Sequence, residues 1–236
     1  MKKPLFVAEI GMNYEANIDL AHELIRQAQY SGADVAKFQL GWRSEPGEIN
    51  FIDMERGQLL KSWCDEFEIE FMASIITEEA LDLAQSLGME RYKIASRTVV
   101  DNPELCRAIL ALGKETFISL GMWDGAEFPF GPPNEKLHYI YCKSNYPTYA
   151  PDLTDFPATF SESQYAGYSD HTLSIAACLV AVSRGASYIE KHFTLNRSSQ
   201  SIRDHTLSAT PDEFLLLTRY GREIAQFTQA LKPPTQ

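Results

Sequence analysis

Basic charge is scarce in this chain of 236 residues: 21 Lys and Arg stand against 32 Asp and Glu, a net charge of −11 at pH 7. Nucleic acid and anionic membranes need a basic stripe, so neither is expected as a partner. Long apolar runs are missing as well. No stretch approaches the roughly 20 residues of a membrane span. The amino-terminal MKKPLFVAEIG stops being apolar at Glu9, too early for a secretory signal. Cysteine is sparse too: Cys64, Cys106, Cys142 and Cys178 lie far apart, with no C-x-x-C spacing. That argues against zinc knuckles and dithiol redox motifs, and it predicts reduced thiols in a cytoplasmic protein. Anionic small molecules stay open as ligands, provided that cations cluster locally.

What is present is a repeating pattern. Ala21/Leu24/Ile25/Ala28 before Gly32, Leu105/Ala108/Ile109/Leu112 before Gly113, and Ile175/Cys178/Leu179/Val182 before Gly185 each form a helical stripe closed by a glycine cap. Thr77-Glu-Glu-Ala opens another helix, ending at Gly88. Thr210-Pro-Asp-Glu is a capping box with proline at the first helical position, and Asn102-Pro103 is a similar start. Short apolar runs follow the glycines: Ala33 to Phe38, Arg91 to Ala95, Thr116 to Leu120 and Tyr188 to Phe193. Leu5 to Ile10, Phe71 to Ile75, Leu137 to Cys142 and Tyr165 to Tyr168 bring the predicted strands to eight. Strict alternation of strand and helix implies a parallel sheet, and eight units imply a closed (β/α)8 barrel, one domain over residues 1–236. An open doubly wound sheet is the alternative. The fifth helix is expected to be lost or shortened, because Trp123 to Lys136 holds three prolines and two glycines. The proline-rich segment Tyr146 to Ser163 leaves space for only a short helix.

In such barrels the chemistry sits at the carboxyl ends of the strands. Those positions are polar here: Glu9 and Asn13, Lys37 and Gln39, Ser74, Lys93 and Ser96, Ser119, Lys143-Ser-Asn-Tyr146, Ser169-Asp-His171, and Glu190-Lys-His192. Serines and lysines spread over several strand ends suit a phosphate. His171 and His192 can ligate a divalent metal while leaving positions for substrate oxygens. Glu190 and His192 share one strand face by alternation.

Seven motifs then carry a resemblance. AEIGMNYE (8–15), GADVAKFQ (32–39), YKIAS (92–96), ISLGM (118–122), YCKSNYPT (141–148), GYSDHT (167–172) and EKHFTLNR (190–197) resemble, in order, those of sialic acid synthases. The resemblance implies condensation of phosphoenolpyruvate with the open-chain aldehyde of an N-acylated hexosamine, with manganese, magnesium or a similar divalent ion. It implies His171 and His192 as metal ligands, and Lys93, Ser74, Ser96, Ser119, Ser144 and Ser169 around the phosphoenolpyruvate. Glu9 would be the essential carboxylate, acting on the cation at C2 or on the water proton. Gln39, Tyr146 and Asp204 would face the sugar.

The pattern also departs from the family. A small antifreeze-like domain usually follows the barrel, whereas this sequence stops at Gln236. A separate protein supplying that domain, or a homodimer through the barrel surface around Trp123, Phe128 and Phe130, is therefore an expected partner. Ser96-Arg97-Thr98 stands where Ser-Gly-Glu is common, Tyr14 replaces a histidine, and Ala16-Asn17 replaces a glycine. Arg97, with Arg203 beside Asp204, points to an acceptor carrying an acidic group. Other readings of the same residues are a keto-acid lyase or aldolase, and a catalytically silent barrel used for binding or assembly.

Overall fold

The strands form where residues are apolar on both faces. They are Leu5–Glu9 (β1), Val35–Leu40 (β2), Glu70–Ile75 (β3), Arg91–Ile94 (β4), Glu115–Ser119 (β5), Leu137–Cys142 (β6), Tyr165–Asp170 (β7) and Tyr188–His192 (β8). The computed structural model describes residues 3–231. Its eight strands pair in parallel and in sequence order, and β8 closes on β1 with Leu5 opposite Tyr188 and Glu9 opposite His192. That closure excludes the open sheet. Gln236 lies outside the described residues, and among those described no helix is long and apolar enough to cross a membrane.

Around the barrel lie Ile18–Tyr30 (α1), Met54–Glu66 (α2), Glu78–Ser86 (α3), Ser96–Asp101 (α4), Pro103–Ala111 (α5), Ala176–Ser183 (α6) and Pro211–Ala230 (α7). Side chains at their starts satisfy backbone amides that have no partner inside the helix. Thr77 accepts from the Ala80 amide, Asn102 from Leu105, and Thr210 and Glu213 close a capping box. The α1 stripe buries all four expected residues. In α5 the buried face is Leu105, Cys106 and Ile109, while Ala108 is exposed. The reason is α4, which the sequence pattern did not announce: it packs beside α5, and Cys106 Sγ lies 3.5 Å from the Thr98 carbonyl.

No helix forms between β5 and β6. The segment instead folds back on the barrel: Phe128 stacks on Tyr139 at 4.2 Å, and the Tyr139 hydroxyl donates to the Gly131 carbonyl. Phe128 and Phe130 therefore pack against the core, which corrects their expected role as exposed contact residues; Trp123 is the exposed aromatic of this loop. After β6 there is only a 3-10 turn, Ala150–Asp152, and Phe156 covers Tyr141 and Tyr168. All four cysteines are free and buried.

Candidate active site

Strand alternation sorts the polar ends of β7 and β8 into two sets. Asp170 and Lys191 turn outward into a buried ion pair of 2.9 Å beneath α6, which ties the two strands together. Ser169, His171, Glu190 and His192 turn inward. With the ends of the other strands they line a cavity of about 580 Å³ at the carboxyl end of the barrel. Every residue given a catalytic, phosphoenolpyruvate, sugar or metal role from the sequence lines it: Glu9, Gln39, Ser74, Lys93, Ser96, Arg97, Ser119, Ser144, Tyr146, Ser169, His171, His192 and Asp204. Thr98 does not. It is a buried residue of α4, so the hydroxyl that stands where the family commonly has a carboxylate does not face the cavity.

The floor is an ionic network whose centre, Lys37, was read from the sequence as a polar strand end but given no role. Its Nζ lies 2.6 Å from Glu9 Oε2 and 3.6 Å from Glu190 Oε1, and donates to Ser74 Oγ at 3.0 Å. Gln39 donates to Glu9 Oε1 at 2.8 Å, Ser169 to Glu190 Oε1 at 3.0 Å, and the Tyr188 hydroxyl to Glu190 Oε2. The two carboxylates have different environments. Burial pushes Glu9 up to about 7, only partly offset by Lys37. Glu190 is equally buried, but Lys37, Lys93 and the Tyr188 hydroxyl overcome that cost and hold it at about 2. The signal for Lys37 was available: it shares a strand face with Gln39, two residues on.

Lys93 flanks this network: its charge acts on Glu190, but its Nζ bonds elsewhere. It is 2% exposed and donates to Ser119 Oγ at 2.7 Å and to the Ile94 carbonyl at 3.3 Å. Among the described residues it has no carboxylate within ion-pair distance, and burial draws its pKa below the usual lysine value. A buried cation without a close ion-pair partner is costly unless an anion joins it. The hydroxyls beside it are prepared to donate. Ser74 accepts from Lys37, Ser119 from Lys93, and Ser96 from the Gly121 amide at 2.9 Å, so each keeps its own proton free. A Cβ at Gly121 would sit 2.6 Å from Ser144 Oγ and 3.1 Å from the Cys142 carbonyl oxygen, so a side chain there would displace the Ser144 hydroxyl.

Across the cavity the His171 and His192 rings lie 5.4 Å apart. His171 Nδ1 donates to the Lys143 carbonyl at 2.6 Å, so Nε2 is the ring nitrogen left for a ligand. Burial draws the His192 pKa down, and among the described residues its Nδ1 has no hydrogen-bond partner, 3.9 Å from Asp204 Oδ2; Asp204 Oδ1 accepts no hydrogen bond either and lies 3.4 Å from Arg203 Nε. Two imidazoles facing each other, one with an orphaned nitrogen, fit a divalent ion. Among the described residues no group of three or more His, Cys, Asp and Glu is gathered for one, so two imidazoles are the clearest donors offered.

The rim comes from loops and helix starts. Tyr146 stacks on His171 at 4.1 Å, and the Arg203 guanidinium lies 4.2 Å over the Tyr146 ring. Arg97, at the start of α4, reaches Asp101 at 3.8 Å. Trp42, Arg43 and Met122, none of them read as site residues, complete the mouth together with Ile202.

Known proteins share this arrangement of elements. The NeuB family model matches residues 48–232. An uncharacterized protein of Methanocaldococcus jannaschii is 32% identical, over 90% of this chain and 68% of its own length. The N,N'-diacetyllegionaminic acid synthase of Campylobacter jejuni is 31% identical, over 95% of this chain and 77% of its own. Among solved structures, the N-acetylneuraminic acid (sialic acid) synthetase of Leptospira borgpetersenii, in complex with citrate, superposes with a TM-score of 0.87 at 26% identity, covering 100% of this chain and 88% of that one. The chain belongs to the NeuB family, the family of the sialic acid synthases.

Proposed function

We propose that this chain is a synthase that joins phosphoenolpyruvate to the open-chain aldehyde of an N-acylhexosamine-like sugar, giving a nonulosonic keto acid and inorganic phosphate. Lys93 carries this reading: a buried cation with no carboxylate within ion-pair distance among the described residues, beside hydroxyls whose protons are free, suits a phosphorylated enol acid. His171 and His192 would hold a divalent ion such as manganese or magnesium, which when bound polarises the aldehyde oxygen.

In the proposed reaction, C3 of the enol phosphate bonds to the aldehyde carbon, and the aldehyde oxygen takes up a proton. C2 is left with positive charge, and Glu190, ionised through Lys37 and Lys93, stabilises it from the floor. Water adds to C2. Glu9, poised near 7 and held in orientation by Gln39, takes the water's proton. The bond from C2 to the phosphate ester oxygen then breaks as the new C2 hydroxyl passes its proton to the leaving phosphate and becomes the keto group, and phosphate departs against Lys93 and the free serine hydroxyls. Gln39, Tyr146, Asp204 and Arg97 are assigned to the acceptor.

Phosphate release tests the proposal. Phosphoenolpyruvate, manganese and a panel of aldoses should yield phosphate only when a suitable aldose is present. Pyruvate released from a nonulosonic acid, with no phosphate from the panel, would favour the lyase reading instead.

A further inference from the structure

The loop after β8 carries Arg203 and Asp204 to the cavity mouth, yet its only helical element is the 3-10 turn Arg203–Leu207. Side chains from the loop after β1 fix it. Asn13 donates through Nδ2 to the Phe193 carbonyl at 2.9 Å and to Ser208 Oγ at 3.0 Å, and Ser208 donates to the Asp204 carbonyl at 2.6 Å. Glu15 Oε1 accepts from the Ser199 hydroxyl at 3.0 Å and from His205 Nε2 at 2.8 Å. Bonds from Ser201 and then Ser199 and His205, opposed by slight burial, hold the Glu15 carboxyl below its usual range.

His205 is 2% exposed, and its Nδ1 lies 2.7 Å from Thr194 Oγ1, which itself accepts the Asn196 amide. The ring is thus held from both sides, by Thr194 at Nδ1 and by Glu15, which accepts from Nε2. The backbone that delivers Glu15 is strained. Glu15 and Ala16 have φ of 54° and 57°, a region that non-glycine residues seldom occupy. Asn50 holds that turn, accepting the Ala16 amide at 2.5 Å and donating to the Met12 carbonyl at 2.8 Å. A strained turn fixed from two sides beside a site is a positioning device.

We propose that Glu15 and His205 are positioning residues that clasp the β8 loop to the β1 loop and thereby preset Arg203 and Asp204 for the acceptor. The inference rests on the rim being the acceptor side. Neither side chain is among the described residues that line the cavity, so both act through their neighbours.

Hydrogen exchange and steady-state kinetics on the full chain test the clasp together. Glu15→Ala should speed exchange of the amides at 196–207 about tenfold and leave the strand amides unchanged, a fold-change typical of one lost charged hydrogen bond. The same variant should raise KM for the acceptor aldose about tenfold, with KM for phosphoenolpyruvate within about twofold. Glu15→Gln, which keeps an acceptor oxygen for His205 and Ser199, should recover most of both effects. His205→Asn, which keeps the Thr194 contact and loses Glu15, should behave like Glu15→Ala and serves if that variant fails to fold. Unchanged loop exchange, or an equal rise in both KM values, would overturn the proposal. A chain releasing no phosphate with any aldose would refute the synthase reading, while loop exchange would still decide the clasp.

Discussion

The floor and the rim of the cavity carry charge in opposite ways. On the floor, Glu9, Lys37, Lys93 and Glu190 project from strands, are buried, and are positioned by alternation and by a register that closes on itself. At the rim, the Arg97 and Arg203 side chains are 55% and 70% exposed, and their nearest carboxylates are 3.8 and 3.4 Å away. Buried charges interact strongly and tolerate little change, whereas exposed pairs at such distances contribute little. The floor therefore suits the invariant half of a condensation, and the rim suits a partner that can differ from one synthase to another.

The sharpest way to break this division is to remove the histidines. His171→Ala or His192→Ala should lower metal-dependent turnover at least about a thousandfold, and calorimetry should show loss of manganese binding. Chelation of the native protein should do the same, with recovery on adding manganese. Full metal affinity in both variants would remove the ion from this place.

Lys93→Ala comes next. Loss of a charge-assisted contact in a dry site predicts about a hundredfold rise in KM for phosphoenolpyruvate, with the acceptor KM within about threefold. A matching rise in both would mean that floor and rim do not divide the substrates.

Glu9 sharpens the comparison through pH. Its carboxyl is protonated below about 7 and ionised above, and the ionised form takes the water's proton in the proposed step. Turnover should climb as pH rises through about 7, and Glu9→Gln should lower it about a hundredfold and flatten that limb. The smallest effect belongs to the rim. Arg203→Ala should raise KM for an acidic acceptor about three- to tenfold, and for a neutral one hardly at all. Equal effects on both acceptors would leave the rim without charge selectivity.

The same contrast explains what could be read from the sequence. Eight strands were legible because a parallel strand buried on both faces is an apolar run, and most αβ turns carry a glycine cap. The lining of the cavity followed from strand ends. α2 was missed because Gly57 interrupts it and its buried stripe is thin, and α4 because six residues are too few for a period to show. The triangle of Glu9, Lys37 and Glu190 exists only once β1 is flanked by both β2 and β8, a fact of closure. Glu15 and His205 meet across 190 residues of sequence through loop hydrogen bonds, and no periodicity encodes such a pairing.

The fate of one oxygen tests the proposed reaction most directly. Phosphoenolpyruvate labelled with 18O at the bridging position, turned over with manganese and an accepted aldose, can be followed by mass spectrometry of both products. Water addition at C2 followed by C–O cleavage places the label in the inorganic phosphate, and that is the predicted result. Label retained in the keto acid would mean P–O cleavage, and would contradict the role given to Glu9, Glu190 and Lys93.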